Sequence, residues 1–191
     1  MNTHKLITAL TLVACSQFVL ADDVRENLLG SAVVHGGFGG PEFQVTKLNG
    51  DASYMMGGKG AWLLNHTYYV GGAGHGSTMT TAKNGVDYDF GYGGLVVGCM
   101  GSPNKLLHYA ADITFGGGGI NERTYHHSSS VGRPDAVFVV EPKIYMAVNL
   151  AEHAQLNIGA GYRYVDQVAP PFSSGDLSSW VVSTNVVFGR F

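Results

Sequence analysis

Charge is scarce in this chain. Only 13% of its residues are Asp, Glu, Lys or Arg, and the formal net charge is −3. That balance is mild and of the wrong sign for a protein that grips nucleic acid. Cysteine is nearly absent, with two in 191 residues, Cys15 and Cys99. No segment beyond the N-terminus strings together the ~18 apolar residues that a transmembrane helix needs. Glycine, by contrast, is abundant, with 28 spread along the chain. An interior glycine costs a helix roughly 1 kcal/mol relative to alanine, so long helices are disfavoured. The glycines keep no three-residue period and stand among Tyr, Val, Phe and Trp, which argues against collagen and against disorder. β-structure remains.

The N-terminus, MNTHKLITALTLVACSQFVLADD, has a lysine, an apolar run and small residues before Asp22, the pattern of a secretory signal peptide. Cleavage after Val19-Leu20-Ala21 divides the chain into a signal peptide, residues 1–21, and one domain, residues 22–191. Leu12-Val13-Ala14-Cys15 also reads as a lipobox in which Cys15 would be acylated. After ordinary cleavage Cys99 is the one remaining cysteine, so no intrachain disulfide can form and stability has another source.

At a period of two the chain resolves into about eight strands longer than the usual five or six residues. Leu156, Ile158, Ala160, Tyr162 and Tyr164 alternate with Gln155, Asn157, Gly159, Gly161 and Arg163. Phe138, Val140, Pro142, Ile144, Met146 and Val148 alternate with Val139, Glu141, Lys143, Tyr145 and Ala147. Leu107, Tyr109, Ala111, Ile113 and Phe115 oppose His108, Ala110, Asp112 and Thr114. Val86, Tyr88, Phe90, Tyr92 and Val96 oppose Asp87 and Asp89, with Leu95 and Val97 blurring the polar side. Asn49-Gly50 tolerates the positive φ of a type I′ turn and predicts a hairpin joining residues 35–48 to 51–64. Pro41 predicts a bulge at Gly39-Gly40-Pro41, which would switch the apolar side from Phe38 to Phe43 and Val45. The last segment, residues 177–191, does not declare its sides. Short turns near residues 65–67, 102–105 and 150–152 alternate with polar loops near 79–85, 120–135 and 166–176. That describes an all-β, eight-stranded antiparallel up-and-down transmembrane β-barrel with both termini at one end. A soluble lipocalin-like barrel is the alternative, but it would expose more charge.

The chain resembles the small outer-membrane β-barrels of Gram-negative bacteria. The resemblance rests on the signal peptide and on the C-terminal Val-Val-Phe-Gly-Arg-Phe. It implies insertion in the cell outer membrane among its lipids and lipopolysaccharide, with the terminal Phe191 read by the barrel assembly machinery. The stretch GGKGAWLLNHTYYVGGAGHG, residues 57–76, is similar to an uncharacterised glycine-rich group of such barrels. It implies no activity.

With apolar sides toward lipid, Lys59, Asp89, His108, Asp112, Glu141, Lys143 and Arg163 fall in the lumen. A small barrel has room there for packed side chains or one small ligand, and buried ions need partners, so a plug of paired charges is expected. Cys99 reads as an inward packing residue. In the loop Tyr125-His126-His127-Ser128-Ser129-Ser130 a histidine can act as general base to a neighbouring serine. His127, Ser129 and Glu141 resemble the His-Ser-Glu set of the lipid A deacylase barrels, although Ser130-Val131-Gly132 replaces that family's Asn-Ala-Gly. His126-His127 has no third ligand at a metal-site spacing. No metal, cofactor or nucleic-acid partner is expected. A surface or structural role leads, with lipid modification or apolar-ligand binding as alternatives and any extracellular ligand unnamed.

Lys59 is followed by Gly60-Ala61-Trp62 rather than the Ser/Thr and helix of a phosphate loop. Residues 57–76 therefore read as a hairpin about Asn65-His66-Thr67, with Gly60 opposite Gly72 and Gly58 opposite Gly74. The glycine clusters recur through most strands and are expected to relieve crowding in a tightly bent barrel.

Overall fold

The computed structural model describes residues 34–78, 81–83, 86–123, 135–168, 170 and 172–191. The expected signal peptide, Cys15 and the His127/Ser129 loop lie outside the described residues. Eight long strands, β1 (His35–Leu48), β2 (Asp51–Leu64), β3 (Tyr68–Ser77), β5 (Val86–Gly101), β6 (Leu107–Arg123), β7 (Asp135–Ala151), β8 (Ala154–Asp166) and β9 (Ser179–Arg190), follow one another as antiparallel neighbours. Pairing of β1 with β9 closes the eight long strands into a barrel. A three-residue strand, β4 (Thr81–Lys83), extends the sheet beside β5. One helical turn, α1 (Ser174–Leu177), precedes β9.

Several registers follow directly from turn chemistry. Asn49 and Gly50 have φ of 52° and 88°, and Leu48 pairs with Asp51, the two-residue turn that Asn-Gly favours. Asn65 and His66 are also left-handed, and Thr67 N–H donates to Leu64 O. Gly58 consequently faces Gly74, and Gly60 faces Gly72.

Pro41 behaves differently from the expected bulge. Its strand keeps one unbroken register with β2, and the ladder to β9 simply lapses at Gly40 and Pro41. Pro142 does the same in β7, where pairing with β8 skips Glu141 and Pro142 without a shift. A missing N–H needs only an unpaired rung, not an extra residue. The side therefore does not switch: Phe38, Glu42, Gln44, Thr46 and Leu48 all point inward, while Phe43 and Val45 point out.

β5 also corrects the sequence reading. Phe90, Tyr92, Val96 and Met100 are buried in the lumen, and Leu95 and Val97 are exposed outside. By alternation Asp89 and Cys99 belong to the outward set. Alternation misassigned this strand because both of its faces are apolar. In β9 Val181, Ser183, Asn185 and Val187 face inward, with Trp180, Val182 and Phe188 outward.

The lumen is layered. At the end carrying the short turns and C-terminus, Phe38, Leu63, Tyr69, Met100 and Val187 pack together, and Phe191 stacks on Phe38 at 5.8 Å. At the loop end, Leu48, Met55, Phe90, Ile120, Val139 and Val165 pack with Phe172 and Leu177. Charged and amide side chains lie between. The outer wall is apolar, with Trp62, Tyr68, Tyr109 and Phe188 toward the turn end and Tyr54, Phe138, Tyr164 and Trp180 toward the loop end. Leu95, Val97, Ile144, Met146, Ile158 and Val182 are exposed between them. An aliphatic band between aromatic girdles is the lipid-facing surface of a membrane barrel.

Inward glycines answer a steric need. A Cβ at Gly94 would run into Phe115 O, and one at Gly116 would run into Gly93 O. Tight curvature crowds the concave side of the sheet, and Gly94 and Gly116 face each other across it. Outward glycines are different. Gly60, Gly72 and Gly74 have only ordinary neighbours, and they line a shallow depression of about 520 Å³ that opens outward.

Candidate functional site in the lumen

The middle layer is built by inward positions of all eight long strands, whose period of two delivers one polar residue after another to the same side. On β2 and β6, Lys59 Nζ donates to Asp112 Oδ2 at 2.7 Å. Tyr69 OH donates to the same oxygen at 3.0 Å, and Lys59 Nζ sits 4.1 Å from the centre of the Tyr145 ring. Each group satisfies the next, as buried ions require.

A second group crosses the barrel from β1 to β7. Lys143 Nζ lies 2.8 Å from Glu42 Oε1 and 3.0 Å from Glu141 Oε1. Gln44 Nε2 donates to both carboxylates, at 3.0 and 3.2 Å. Tyr92 OH donates to Glu141, and Asn185 Nδ2 reaches Glu42 Oε2 at 3.4 Å. His75 Nε2 is 3.5 Å from Glu42 Oε1, with its side chain fully buried. Two carboxylates share one ammonium, so this group carries one excess negative charge.

Arg163, toward the loop end, supplies the compensating positive charge without touching a carboxylate. Its Nε donates to Leu177 O at 3.2 Å, Nη2 to Thr46 Oγ1 at 3.0 Å and Nη1 to Met55 Sδ at 2.9 Å. The guanidinium carbon lies 5.3 Å from the Phe90 ring centre and 5.6 Å from that of Tyr92, within cation–π range.

Of the charges expected in the lumen, Lys59, Asp112, Glu141, Lys143 and Arg163 therefore meet in this layer. His108 faces inward but belongs to the turn end. Its Nδ1 lies 3.2 Å from Lys105 O and its Nε2 lies 2.8 Å from Gln155 Nε2. With Nδ1–H donating to the carbonyl, Nε2 is the acceptor and the ring is neutral. Asp89 is outside this set, on the outward parity of β5. Glu141 is fully buried among Lys143, Gln44 and Tyr92, turned away from the lipid side where a deacylase triad would act.

Sequence reading passed over Glu42, Gln44, His75, Tyr69, Tyr92 and Tyr145. The first two were within reach: Glu-Phe-Gln-Val-Thr at residues 42–46 alternates cleanly. His75 is hidden in a glycine tract that has no apolar phase. Tyr92 looks like a lipid-facing aromatic until its hydroxyl partners are seen, whereas Tyr145 already alternates with Lys143 on the inward side. Among the described residues no group of three or more His, Cys, Asp or Glu is placed to hold a metal ion.

Paired ions between two apolar seals, inside a closed sheet with an apolar belt, define a small β-barrel of the outer-membrane type. Solved structures agree on the fold. Neisserial surface protein A matches with TM-score 0.56 at 9% identity, covering 84% of this chain and 100% of that one. The outer membrane protein OprG of Pseudomonas aeruginosa matches with TM-score 0.52 at 12% identity, covering 81% and 95%. The N-terminal β-barrel domain of Pseudomonas aeruginosa OprF gives 0.52 at 10% identity, covering 80% and 96%. No family model and no curated protein matches the chain. The chain folds as a closed barrel of eight long antiparallel strands, the architecture of those outer-membrane proteins.

Proposed function

We propose that this barrel is a non-enzymatic, non-conducting protein of the outer membrane that works through its surface. Its wall sits among outer-membrane lipids and lipopolysaccharide, and its loop end faces outward to meet an extracellular partner. The C-terminal strand ending at Phe191 serves as the signal for the assembly machinery. The observation that carries this reading is the filled lumen. Lys59–Asp112 and the Glu42–Lys143–Glu141 group pair charges across the lumen, and the side chains that do so are buried.

Planar-bilayer recording of the folded protein tests the reading, with lipid A mass spectrometry on cells that do and do not express it. The expected results are a flat current trace and unchanged acyl chains. Steady conductance steps would remove the non-conducting part. Loss of an acyl chain would replace it with the enzymatic alternative.

A further inference from the structure

Beyond a surface role, one buried cation in this lumen is partnered unlike the others. Lys59 and Lys143 each have a carboxylate oxygen within 3.0 Å. Arg163, fully buried, has a backbone carbonyl, a hydroxyl and a thioether instead. A guanidinium presents a fork of donors shaped for two carboxylate oxygens, and a thioether is a weak acceptor. Among the described residues Arg163 is thus held in the interior with no carboxylate in contact.

What covers it is equally telling. The apolar cup above Arg163, walled by Leu48, Phe90, Ile120, Val139 and Val165, is not filled by strand residues alone. Phe172 and Leu177, from the connection between β8 and β9, drop in from above and bury there. Leu177 supplies an apolar side chain to the cup and a carbonyl oxygen to Arg163 Nε. Those are the two features of an alkyl carboxylate, provided by the chain itself in a weaker form. This lid is attached by Asn49 N–H on Asp176 O at 2.7 Å, by Val165 N–H on Ser178 Oγ at 2.9 Å, and by the Phe172 ring edge-on to Tyr88. Its helix is a single turn.

We propose that the loop end contains a binding site for a small amphipathic carboxylate, with Arg163 receiving the headgroup and the cup receiving the alkyl chain. Phe172 and Leu177 occupy it when the ligand is absent. Binding lifts the residue 172–178 lid, because ligand and lid compete for the same cup and the same Nε–H. A ligand that can bind only with the lid lifted has its affinity scaled down to the fraction of time the lid is open.

The test uses the full mature protein in lipid nanodiscs with arginine labelled by ¹⁵N. Octanoate is titrated while the slowly exchanging Nε–H signal of buried Arg163 is followed, with octanol as the uncharged probe of the same length. Octanoate is expected to move that signal saturably, and octanol to leave it in place. The combined substitution Phe172→Ala and Leu177→Ala, which alters only the lid, is expected to tighten octanoate binding by ~10-fold or more, since each large apolar side chain holds the lid closed. The wild-type titration stands alone if that variant folds poorly. No saturable shift with octanoate overturns the site, and an equal response to octanol overturns its choice of an anion. Either result leaves the bilayer-current test of the surface reading untouched.

Discussion

On the inner face of β5 a Cβ at Gly94 would collide with the backbone of β6, whereas on the outer face of β3 a Cβ at Gly76 would meet nothing within 4 Å. The contrast runs through the whole molecule. The inner wall is crowded, and its charged side chains are held by named partners. The outer wall carries exposed aliphatic and aromatic side chains and glycines with room to spare. Curvature explains the difference: closing a small number of strands brings inward atoms together and spreads outward ones apart. Substitutions that are chemically alike should therefore differ in effect according to the wall they strike.

The largest effect is expected at Lys143. Lys143→Met would leave Glu42 and Glu141 facing each other without their shared cation. Breaking a buried ionic group in this way costs about 3–5 kcal/mol. Urea unfolding in detergent, followed by heat-modifiable gel mobility, should show the loss directly; an unshifted midpoint would mean that the group is not buried as described.

A smaller difference separates two aspartates. Asp112→Asn weakens the partner of Lys59 on the inner wall and should cost about 1–3 kcal/mol. Asp89→Asn, on the outward parity where a lost contact is weaker, should cost less than about 1 kcal/mol. Equal losses at the two positions would return Asp89 to the lumen. Third come the glycines. Gly94→Ala overpacks the inner wall and should cost about 1–3 kcal/mol. Gly76→Ala should be neutral or stabilise by up to about 1 kcal/mol through the unfolded chain.

This contrast also explains what could be read from the sequence. Strands β6, β7 and β8 declare their sides because one wall is apolar and the other polar, so Asp112, Lys143 and Arg163 could be assigned to the lumen by counting. The register of Gly58 with Gly74 follows from the length of one turn. β5 resists the same treatment: its inward Phe90, Val96 and Met100 belong to the apolar seals, so its two faces look alike. Pro41 misleads because a proline marks an unpaired rung and says nothing about an added residue. Which lumen charges touch across the barrel depends on closure and strand tilt, which no local pattern encodes. The lid is hidden for a related reason. Phe172 and Leu177 lie in a loop read as polar, and they acquire meaning only once the mouth beneath them exists.

The central claim is that the inner wall is closed to water between its two seals. Thiol labelling of Ser183→Cys in a Cys99→Ser background addresses it most directly, because Ser183 lies inward and buried at mid-barrel. With a water-soluble reagent supplied to both faces of a nanodisc, the account predicts that this thiol stays unlabelled until the barrel is unfolded. Labelling in the folded barrel as fast as in the unfolded chain would contradict it.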